Sequence, residues 1–521
     1  MRVPVLLFVV AACSTAKQSP PPSPAPVKQR VPRPVVGESN IERADYIGPD
    51  ACGECHPTQH AMWTASLHRV MNARVEDAGA VIADFNGAQV HYRDGIASFE
   101  RTLGGLSMSL RDGAREVRYR ITRTIGHRGL QEFVGVQDGV ADKEAEEVRL
   151  PFGWWPRAGG WVPQVAFDPW LDEASFDPFK PMREPWAERC PWCHSTYPFA
   201  QRVARSSTKH VGHGLEQFVD RQPGPGNHDR LAVDEQVTTG ISCESCHLGG
   251  RAHADGAKIS SLPAGVGVHV AADAPAMPAT FAEQRTDARV VNTICAQCHS
   301  GPSPRLADGT ALRNSSEALD QAAGPCTGMK CTDCHDPHVA DSRNDEPRAL
   351  AACVRCHTQF AAPQSAVAHA GPGHATTNCL ECHMPRIVMG IDRYVRTHRI
   401  SSPTNPTLIA DGSPNACNLC HLDRPIEWTL DELDRGWETK LANRISLKAY
   451  GAHDNAVGEV WLTSKTPALR LVATHAYVRS PLSAFVIDKL RAGLTDPLAY
   501  VRAWTRLALN QLNPHVRVKA E

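Results

Sequence analysis

Residues 331–338 read CTDCHDPH, and the first five of them form a Cys-x-x-Cys-His motif that occurs eight times in this 521-residue chain. Two thiols at this spacing, followed at once by an imidazole, are typical of covalent c-type haem attachment. The thiols form thioethers with the haem vinyl groups, and the adjacent His binds the iron as its proximal ligand. The pattern therefore predicts eight covalently bound haem c groups.

The motifs use sixteen of the eighteen cysteines. The predicted thioether positions are Cys52, Cys55, Cys190, Cys193, Cys243, Cys246, Cys295, Cys298, Cys331, Cys334, Cys353, Cys356, Cys379, Cys382, Cys417 and Cys420. The predicted proximal ligands are His56, His194, His247, His299, His335, His357, His383 and His421. A zinc knuckle or a thiol–disulfide site is the alternative for a single Cys-x-x-Cys pair. Neither requires a His directly after the second Cys, which all eight pairs have.

Sixteen further histidines are available as distal ligands, and eight would be needed to close every iron. An iron with two His ligands suits electron transfer, whereas an iron with one His binds small molecules. The best-placed candidates are His68, His253, His338, His369, His374 and His398. The alternative for each is a surface His or a hydrogen bond to a propionate. Weaker candidates are His60, His210, His213, His228 and His269, whereas surface or helix-packing positions are expected for His127, His453, His475 and His515. Six candidates leave one or two irons either open or closed by a weaker His or a Met.

The N-terminus has the order of a signal peptide. Arg2 precedes an apolar stretch that is too short to span a bilayer, and two alanines stand before Cys13. This end resembles a bacterial lipoprotein box, which predicts lipidation at Cys13; plain secretion with an incidental Cys is the alternative. Because c-type haem is attached outside the cytoplasmic membrane, we expect an exported, periplasm-facing or outer-membrane lipoprotein. Residues 1–12 are then the signal peptide and residues 13–45 a Pro-rich tether or a disordered start.

The spacing of the motifs divides the rest of the chain. Cys52 and Cys190 lie 138 residues apart, whereas later motifs begin 22 to 53 residues after their predecessors. We expect a mainly α and irregular array, with a first haem segment at residues 46–88 and a seven-haem domain at residues 157–426. So dense an array leaves little room for a protein core, so its folding should depend on haem insertion. Alternating apolar and polar residues between Gly-containing turns predict an antiparallel β-insert over residues 89–156.

Residues 427–521 carry apolar side chains at helical i, i+3, i+4 spacing and predict a small all-α domain. Residues 494–509 (LTDPLAYVRAWTRLAL) resemble a HEAT-type repeat, and a plain helical cap fits equally well. A run of tryptophans predicts packing between the β-insert and the array, or else a channel lining: Trp154, Trp155, Trp161, Trp170 and Trp186. Cys326 is either an unpaired buried thiol or a redox-active or iron-binding one.

Several phrases resemble those of bacterial multihaem cytochromes related to the tetrahaem cytochrome that accepts electrons from hydroxylamine oxidoreductase. They are CGECH with WTASLH after it, CPWCHST, GISCESCH, CTDCHDPH, CLECHMPR, PNACNLCHLD and, in the β-insert, TIGHRGLQEFV, all within residues 46–423. The resemblance implies distal-ligand roles for His68, His253, His338 and His398. Because the motif number departs from four, it does not transfer ligand pairings. The Lys-containing motif of several octahaem reductases is absent from the sequence, and nothing local marks Tyr394 for a haem crosslink.

Two functions are compatible with these features. The first is an exported electron carrier with mostly bis-His haems. Its partners are redox proteins, for which the C-terminal helices offer one docking surface, and a lipid anchor attaches it to the membrane. The second is an octahaem oxidoreductase that acts on a small nitrogen or sulfur compound at one open iron. The formal net charge of −1 shows no basic excess for binding nucleic acid.

Overall fold

The computed structural model of this protein describes residues 43–140, 146–198, 233–256, 286–341, 345–441, 446–452 and 454–512. The predicted signal peptide, most of the tether and Cys13 lie outside these residues. The same holds for His210, His213, His228, His269, His453 and His515. Within the described ranges, no helix has the length and apolar character that a membrane crossing needs.

An antiparallel sheet occupies the long interval between the first two motifs. Its strands are β1 (Asn72–Arg74), β2 (Asn86–Tyr92), β3 (Gly95–Thr102), β4 (Gly105–Asp112), β5 (Arg115–Ile125), β6 (Glu132–Gln137) and β7 (Val148–Arg149). Strands β2 to β7 follow one another in a meander, and β1 pairs with β5. Successive side chains of a strand point to opposite faces of the sheet, so residues two apart share a face. Leu106, Met108 and Leu110 of β4 accordingly all point into the core. The sheet thus begins before residue 89, the predicted start of the β-insert.

A two-stranded ribbon joins this sheet to the rest of the molecule. It consists of β8 (Phe152–Trp155) and β9 (Gly160–Pro163). Trp161 lies flat on Phe99 of the sheet, with ring centroids 3.6 Å apart and an interplanar angle of 3°. Trp155 instead packs against Trp504 near the C-terminus, with centroids 5.7 Å apart. These tryptophans therefore serve as packing residues that fasten the sheet to its neighbours.

Short helices separated by loops make up the motif-bearing region. They are α1 (Pro49–Cys55), α2 (Pro57–Thr64), α3 (Trp186–Arg189), α4 (Pro191–His194), α5 (Cys243–His247), α6 (Arg251–Ala254), α7 (Ala288–Ala296), α8 (Glu317–Ala322), α9 (Cys331–Cys334), α10 (Glu346–Cys356), α11 (Pro363–Ala370), α12 (Cys379–His383) and α13 (Pro406–Asp411). A small ribbon of β10 (Val388–Met389) and β11 (Tyr394–Val395) follows α12. Most of these helices span only one or two turns, which is too short to be stable without tertiary support.

Five described helices follow the last motif: α14 (Ile426–Trp437), α15 (Val457–Leu462), α16 (Pro467–Arg479), α17 (Ile487–Ala492) and α18 (Ala499–Leu512). Helix α16 contacts both α15 and α18. Their hydrophobic core also contains Trp155, Phe167 and Tyr394, which come from outside residues 427–521. The C-terminal helices therefore share one core with the ribbon and with the end of the array. Their HEAT-type character stays a prediction.

Hydrophobic burial is unevenly distributed. One large core belongs to the sheet and the other to the C-terminal helices, and the buried members of both lie outside residues 233–384. This stretch contains five of the eight motifs, the third to the seventh. The described part of the array thus packs around its motifs without a large apolar core of its own.

Candidate haem-binding sites

Each motif folds as a single helical turn. In six motifs the backbone N–H of the His donates to the carbonyl oxygen of the first Cys at 2.9–3.2 Å, namely at His56, His194, His299, His335, His357 and His421. In the other two motifs, the His is the last residue of helix α5 or α12. One helical turn brings positions i and i+4 to the same side. The first Cys and the imidazole therefore face one common region.

Five motif histidines lie beside a histidine from elsewhere in the chain, at nearly constant spacing. The ring-centroid distances and interplanar angles are 6.2 Å and 17° for His56–His253, 6.3 Å and 11° for His247–His338, 6.1 Å and 29° for His335–His398, 6.2 Å and 8° for His383–His369, and 6.1 Å and 89° for His421–His374. Each pair combines one predicted proximal with one predicted distal ligand.

The spacing fits an iron held between two imidazoles. A bond between a metal and an imidazole nitrogen is about 2.0 Å long, and that nitrogen lies roughly 1.1 Å from the centre of its ring. Two imidazoles on opposite sides of one metal ion therefore have ring centroids about 6.2 Å apart. Five separate segments of the chain give this one value, which is difficult to explain by ordinary aromatic packing, because its centroid distances vary over about 4.5–7 Å. In the described ranges, no group of three or more His, Cys, Asp or Glu side chains is arranged to hold a bare metal ion.

The other ring nitrogen is engaged in several of these histidines. His383 Nδ1 lies 2.9 Å from the carbonyl oxygen of Ser401, and His374 Nδ1 lies 3.0 Å from that of Ala370. An Nδ1–H that donates to a carbonyl leaves Nε2 as the nitrogen with a free lone pair. His383 and His374, one member of each of two pairs, are thereby oriented to bind a metal through Nε2.

His68 is the sixth predicted distal ligand, and it lies near the motif histidine His299. Burial lowers the pKa of His68 to about 4, and the charge of His299 contributes in the same direction. His299 itself contacts Glu317, with 3.3 Å between Nδ1 and Oε2. Burial acts to lower the pKa of His299, but the hydrogen bond and charge of Glu317 outweigh it and raise this pKa to about 9. All six predicted distal candidates therefore lie beside different motif histidines.

Among the described residues, no histidine ring pairs in this way with His194 or with His357. His194 is surrounded by protein, and its Nδ1 lies 3.4 Å from the carbonyl oxygen of Met71. The ring of His357 is exposed and has Phe360 as its aromatic neighbour, at 6.4 Å. Sequence reasoning left one or two irons without an assigned partner and did not say which ones.

Buried polar groups cluster beside the second motif. Asn72 donates from Nδ2 to Ser195 Oγ at 3.0 Å, and the Arg123 guanidinium lies 4.0 Å from the centre of the Trp186 ring. Three buried atoms of this cluster have no hydrogen-bond partner, namely Asn72 Oδ1, Arg123 Nη1 and Trp186 Nε1. Leaving such atoms unpaired costs free energy, which a polar group bound here would recover. The alternation of the sequence could not reveal this cluster, because it forms where the sheet meets the second motif.

The remaining candidates have ordinary surroundings. His60 packs against Trp63 with ring centroids 5.4 Å apart, and His127 Nε2 lies 3.0 Å from the carbonyl oxygen of Gly79. Cys326 is half-buried, and burial followed by the charge of Cys356 raises the pKa of its thiol. Tyr394 lies in the C-terminal core beside His475, at 4.8 Å between ring centroids. The ring of Tyr394 also contacts Trp504 in that core, at 5.9 Å between ring centroids.

No protein-family model and no curated protein matches the sequence. Three solved structures are similar. Outer cell wall cytochrome OcwA shares 15% identity over 90% of this chain and 100% of its own, with a TM-score of 0.44. The undecahaem S-layer cytochrome of Carboxydothermus ferrireducens shares 14% identity over 93% of this chain and 67% of its own, with a TM-score of 0.37. The octahaem sulfite reductase MccA of Wolinella succinogenes shares 14% identity over 93% of this chain and 84% of its own, with a TM-score of 0.31. These TM-scores are too low to transfer a function to this chain.

Proposed function

We propose that this chain is an octahaem c-type cytochrome that carries electrons between redox partners. The observation that carries the proposal is the set of five His–His pairs at 6.1–6.3 Å, each with one partner in a Cys-x-x-Cys-His motif. Haem iron, when bound, exchanges one electron between its ferrous and ferric states. At each such centre the two imidazoles of a pair would hold the iron between them, and this would leave no coordination position for a substrate.

The motifs follow one another closely enough for a continuous path. Glu244 of the third motif accepts the backbone N–H groups of Ile47 at 3.0 Å and Gly48 at 2.8 Å, directly before the helix of the first motif. Cys331 of the fifth motif donates its backbone N–H to Asn292 at 2.8 Å, in the helix that leads into the fourth. These residues hold neighbouring motifs in direct contact.

The path continues towards the C-terminal helices. Burial and then the charge of Cys353 raise the pKa of the Cys334 thiol to about 11, so the fifth motif adjoins the sixth. Asn378, at the start of helix α12, donates to Glu346 in the helix that ends in the sixth motif, which supports neighbouring positions for the sixth and seventh motifs. Burial and then the charge of Cys420 raise the pKa of the Cys382 thiol, which supports the eighth motif next to the seventh. The proposed order is first, third, fourth, fifth, sixth, seventh and eighth.

The second motif joins this path as a branch. Trp192 donates its indole N–H to the carbonyl oxygen of Gln297 at 3.2 Å, and Cys193 Sγ lies 3.9 Å from the carbonyl oxygen of Cys298. Both contacts connect the second motif with the fourth. Electrons can therefore enter or leave through the branch without passing along the whole array.

Replacing one distal His tests the proposal directly. In His369→Ala the iron at His383 loses its second imidazole, so we expect one of eight haems to become high-spin while the haem content stays unchanged. Resonance Raman spectroscopy of the oxidised protein resolves the spin-state bands, and the pyridine haemochrome assay counts the haems. His127→Ala, a substitution on the sheet, is the matched control and should leave the spectrum unaltered. An all-low-spin spectrum of His369→Ala would contradict the ligand assignment.

A second candidate function is catalysis at the second motif, on a small nitrogen or sulfur compound. Two observations favour it: His194 has no His partner among the described residues, and unpaired buried atoms of Asn72, Arg123 and Trp186 lie beside it. The wild-type Raman spectrum decides between the two. A high-spin population near one haem in eight that shifts on adding nitrite, hydroxylamine or sulfite supports catalysis. A fully low-spin spectrum removes it.

Export and membrane attachment complete the proposal. Covalent haem attachment outside the cytoplasmic membrane requires export, and lipid on Cys13 would tether the array through the Pro-rich segment. Cys13→Ser should release the mature, haem-loaded protein from the membrane fraction. A protein that stays in that fraction after this change is held there by other means.

A further inference from the structure

The proximal histidines differ in the group that their Nδ1 faces. His383 Nδ1 faces the backbone carbonyl of Ser401 at 2.9 Å, and His194 Nδ1 faces that of Met71 at 3.4 Å. His299 Nδ1 instead faces the side-chain carboxylate of Glu317, with Oε2 at 3.3 Å. A carboxylate acceptor raises the basicity of a metal-bound imidazole more than a neutral carbonyl does.

Glu317 is held in place by its own backbone and by that of His299. It begins helix α8, and its second oxygen, Oε1, accepts the Ser315 N–H at 2.9 Å. The N–H of Ala318, the next residue, donates to the carbonyl oxygen of His299 at 3.0 Å. Ring and carboxylate are thus joined twice, once through side chains and once through the backbone.

His299 belongs to the motif at which the proposed path branches. The fourth motif contacts the second through Gln297, which accepts from Trp192, and the fifth through Asn292, which accepts from Cys331. It also adjoins the third, because the charge of Cys246 contributes to the raised pKa of Cys295. Any electron that moves between the branch and either arm must pass this position.

We infer that Glu317 is a positioning residue that, through His299, makes the iron at the fourth motif harder to reduce than the iron at the second, where His194 faces a neutral carbonyl. The inference rests on the proposed haem array. The carboxylate increases the negative charge on the imidazole, which stabilises the ferric over the ferrous state. The haem at the fourth motif then passes electrons on without staying reduced itself. The haems of the branch and of the two arms are therefore reduced separately.

Glu317→Gln tests the inference, since it keeps a hydrogen-bond acceptor and removes the charge. We expect about a tenfold shift in the oxidation equilibrium of one haem in favour of the ferrous state, which for a one-electron couple is about 59 mV upwards. Spectroelectrochemical titration should show this shift in one-eighth of the total absorbance change. Glu317→Asp retains the charge and should shift the same component less.

Glu244→Gln is the matched control. Glu244 is a buried carboxylate next to the third motif that accepts backbone N–H groups of Ile47, Gly48 and Gly250. Glu244→Gln should leave the titration of the haem at the fourth motif unchanged. If Glu317→Gln keeps the wild-type haem content and spin state and titrates as the wild type does, or shifts no more than Glu244→Gln, the inference is wrong while the haem array stands. If Glu317→Gln does not mature, Glu317→Ala is judged by the same criterion. A wild type with fewer than eight haems would instead overturn the array.

Discussion

The β-insert and the motif-bearing stretch at residues 233–384 are held together in different ways. In the sheet, side chains such as Phe99, Met108 and Tyr119 are fully buried against one another. In the motif-bearing stretch, the buried side chains include many polar ones, such as Thr293 and Gln297, and the helices are mostly one or two turns long. The sheet therefore stabilises itself through apolar burial, whereas the array depends on groups bound to its motifs.

This difference explains how one chain can combine a stable body with a redox path. A protein core between the motifs would push them apart, and electron transfer between distant centres is slow. Placing the apolar cores at the two ends leaves the motifs in direct contact, as Cys193 and Cys298 are. The cores supply the stability that the array does not provide for itself.

The largest expected effect comes from withholding haem. When the full chain is produced in a cytosol that lacks c-type maturation, residues 243–383 should lose nearly all amide protection, because no large core remains to order them. Strands β2 to β6 should keep theirs, since their core contains no motif residue. Hydrogen exchange with mass spectrometry measures both regions in one experiment. Matured protein is the control, and equal protection of the array in both samples would contradict the comparison.

The difference between the two regions also sets what the sequence could predict. Periodicity identified the antiparallel sheet, because alternation is local, but it missed β1, whose three residues are recognised only through pairing with β5. Local context likewise identified His253 as a candidate ligand. It could not identify His56 as the ring beside it, since the two lie on separate loops and meet only in the folded chain. The sequence shows which residues could bind iron. Which two histidines form a pair depends on contacts between distant segments, which appear only in the folded chain.

The C-terminal helices illustrate the same limit. Their apolar periodicity predicted a separate domain, yet Trp155 and Tyr394 belong to the same core. Nothing in residues 427–521 specifies these partners, because a helix face is defined by its own spacing and accepts any complementary surface. His475 was expected at the surface or in helix packing, and it is buried between helices.

A smaller effect is expected from damaging the sheet. Trp161→Ala removes the ring that lies flat on Phe99 and leaves a cavity, which should lower the stability of the sheet by about 3–5 kcal/mol. Haem content and spin state should not change, because the sheet core contains no motif residue. Pulse proteolysis in urea reports the unfolding of this region without interference from haem absorption. Leu103→Ala, in an exposed turn, is the control and should change stability by less than about 0.5 kcal/mol.

The smallest expected effect concerns the core of the C-terminal helices. We expect the stability of this core to depend on pH through His475. This His is buried, and its Nε2 has no hydrogen-bond partner. Burial, followed by the charge of Arg479, lowers its pKa to about 3. In the unfolded chain the pKa is about 6.5, so between these values the unfolded state binds more protons than the folded state. The stability from neutral His475 is present above about pH 6.5 and is lost as the pH falls.

The slope approaches about 1.4 kcal/mol per pH unit for one such group. His475→Leu removes the titrating group, so between pH 6 and pH 4.5 it should lose less stability than the wild type, as read by the urea midpoint of pulse proteolysis in helices α16 and α18. His127→Gln, a partly exposed position in the loop between β5 and β6, should retain the wild-type dependence. If His475→Leu follows the wild type throughout, acid destabilises these helices through other groups.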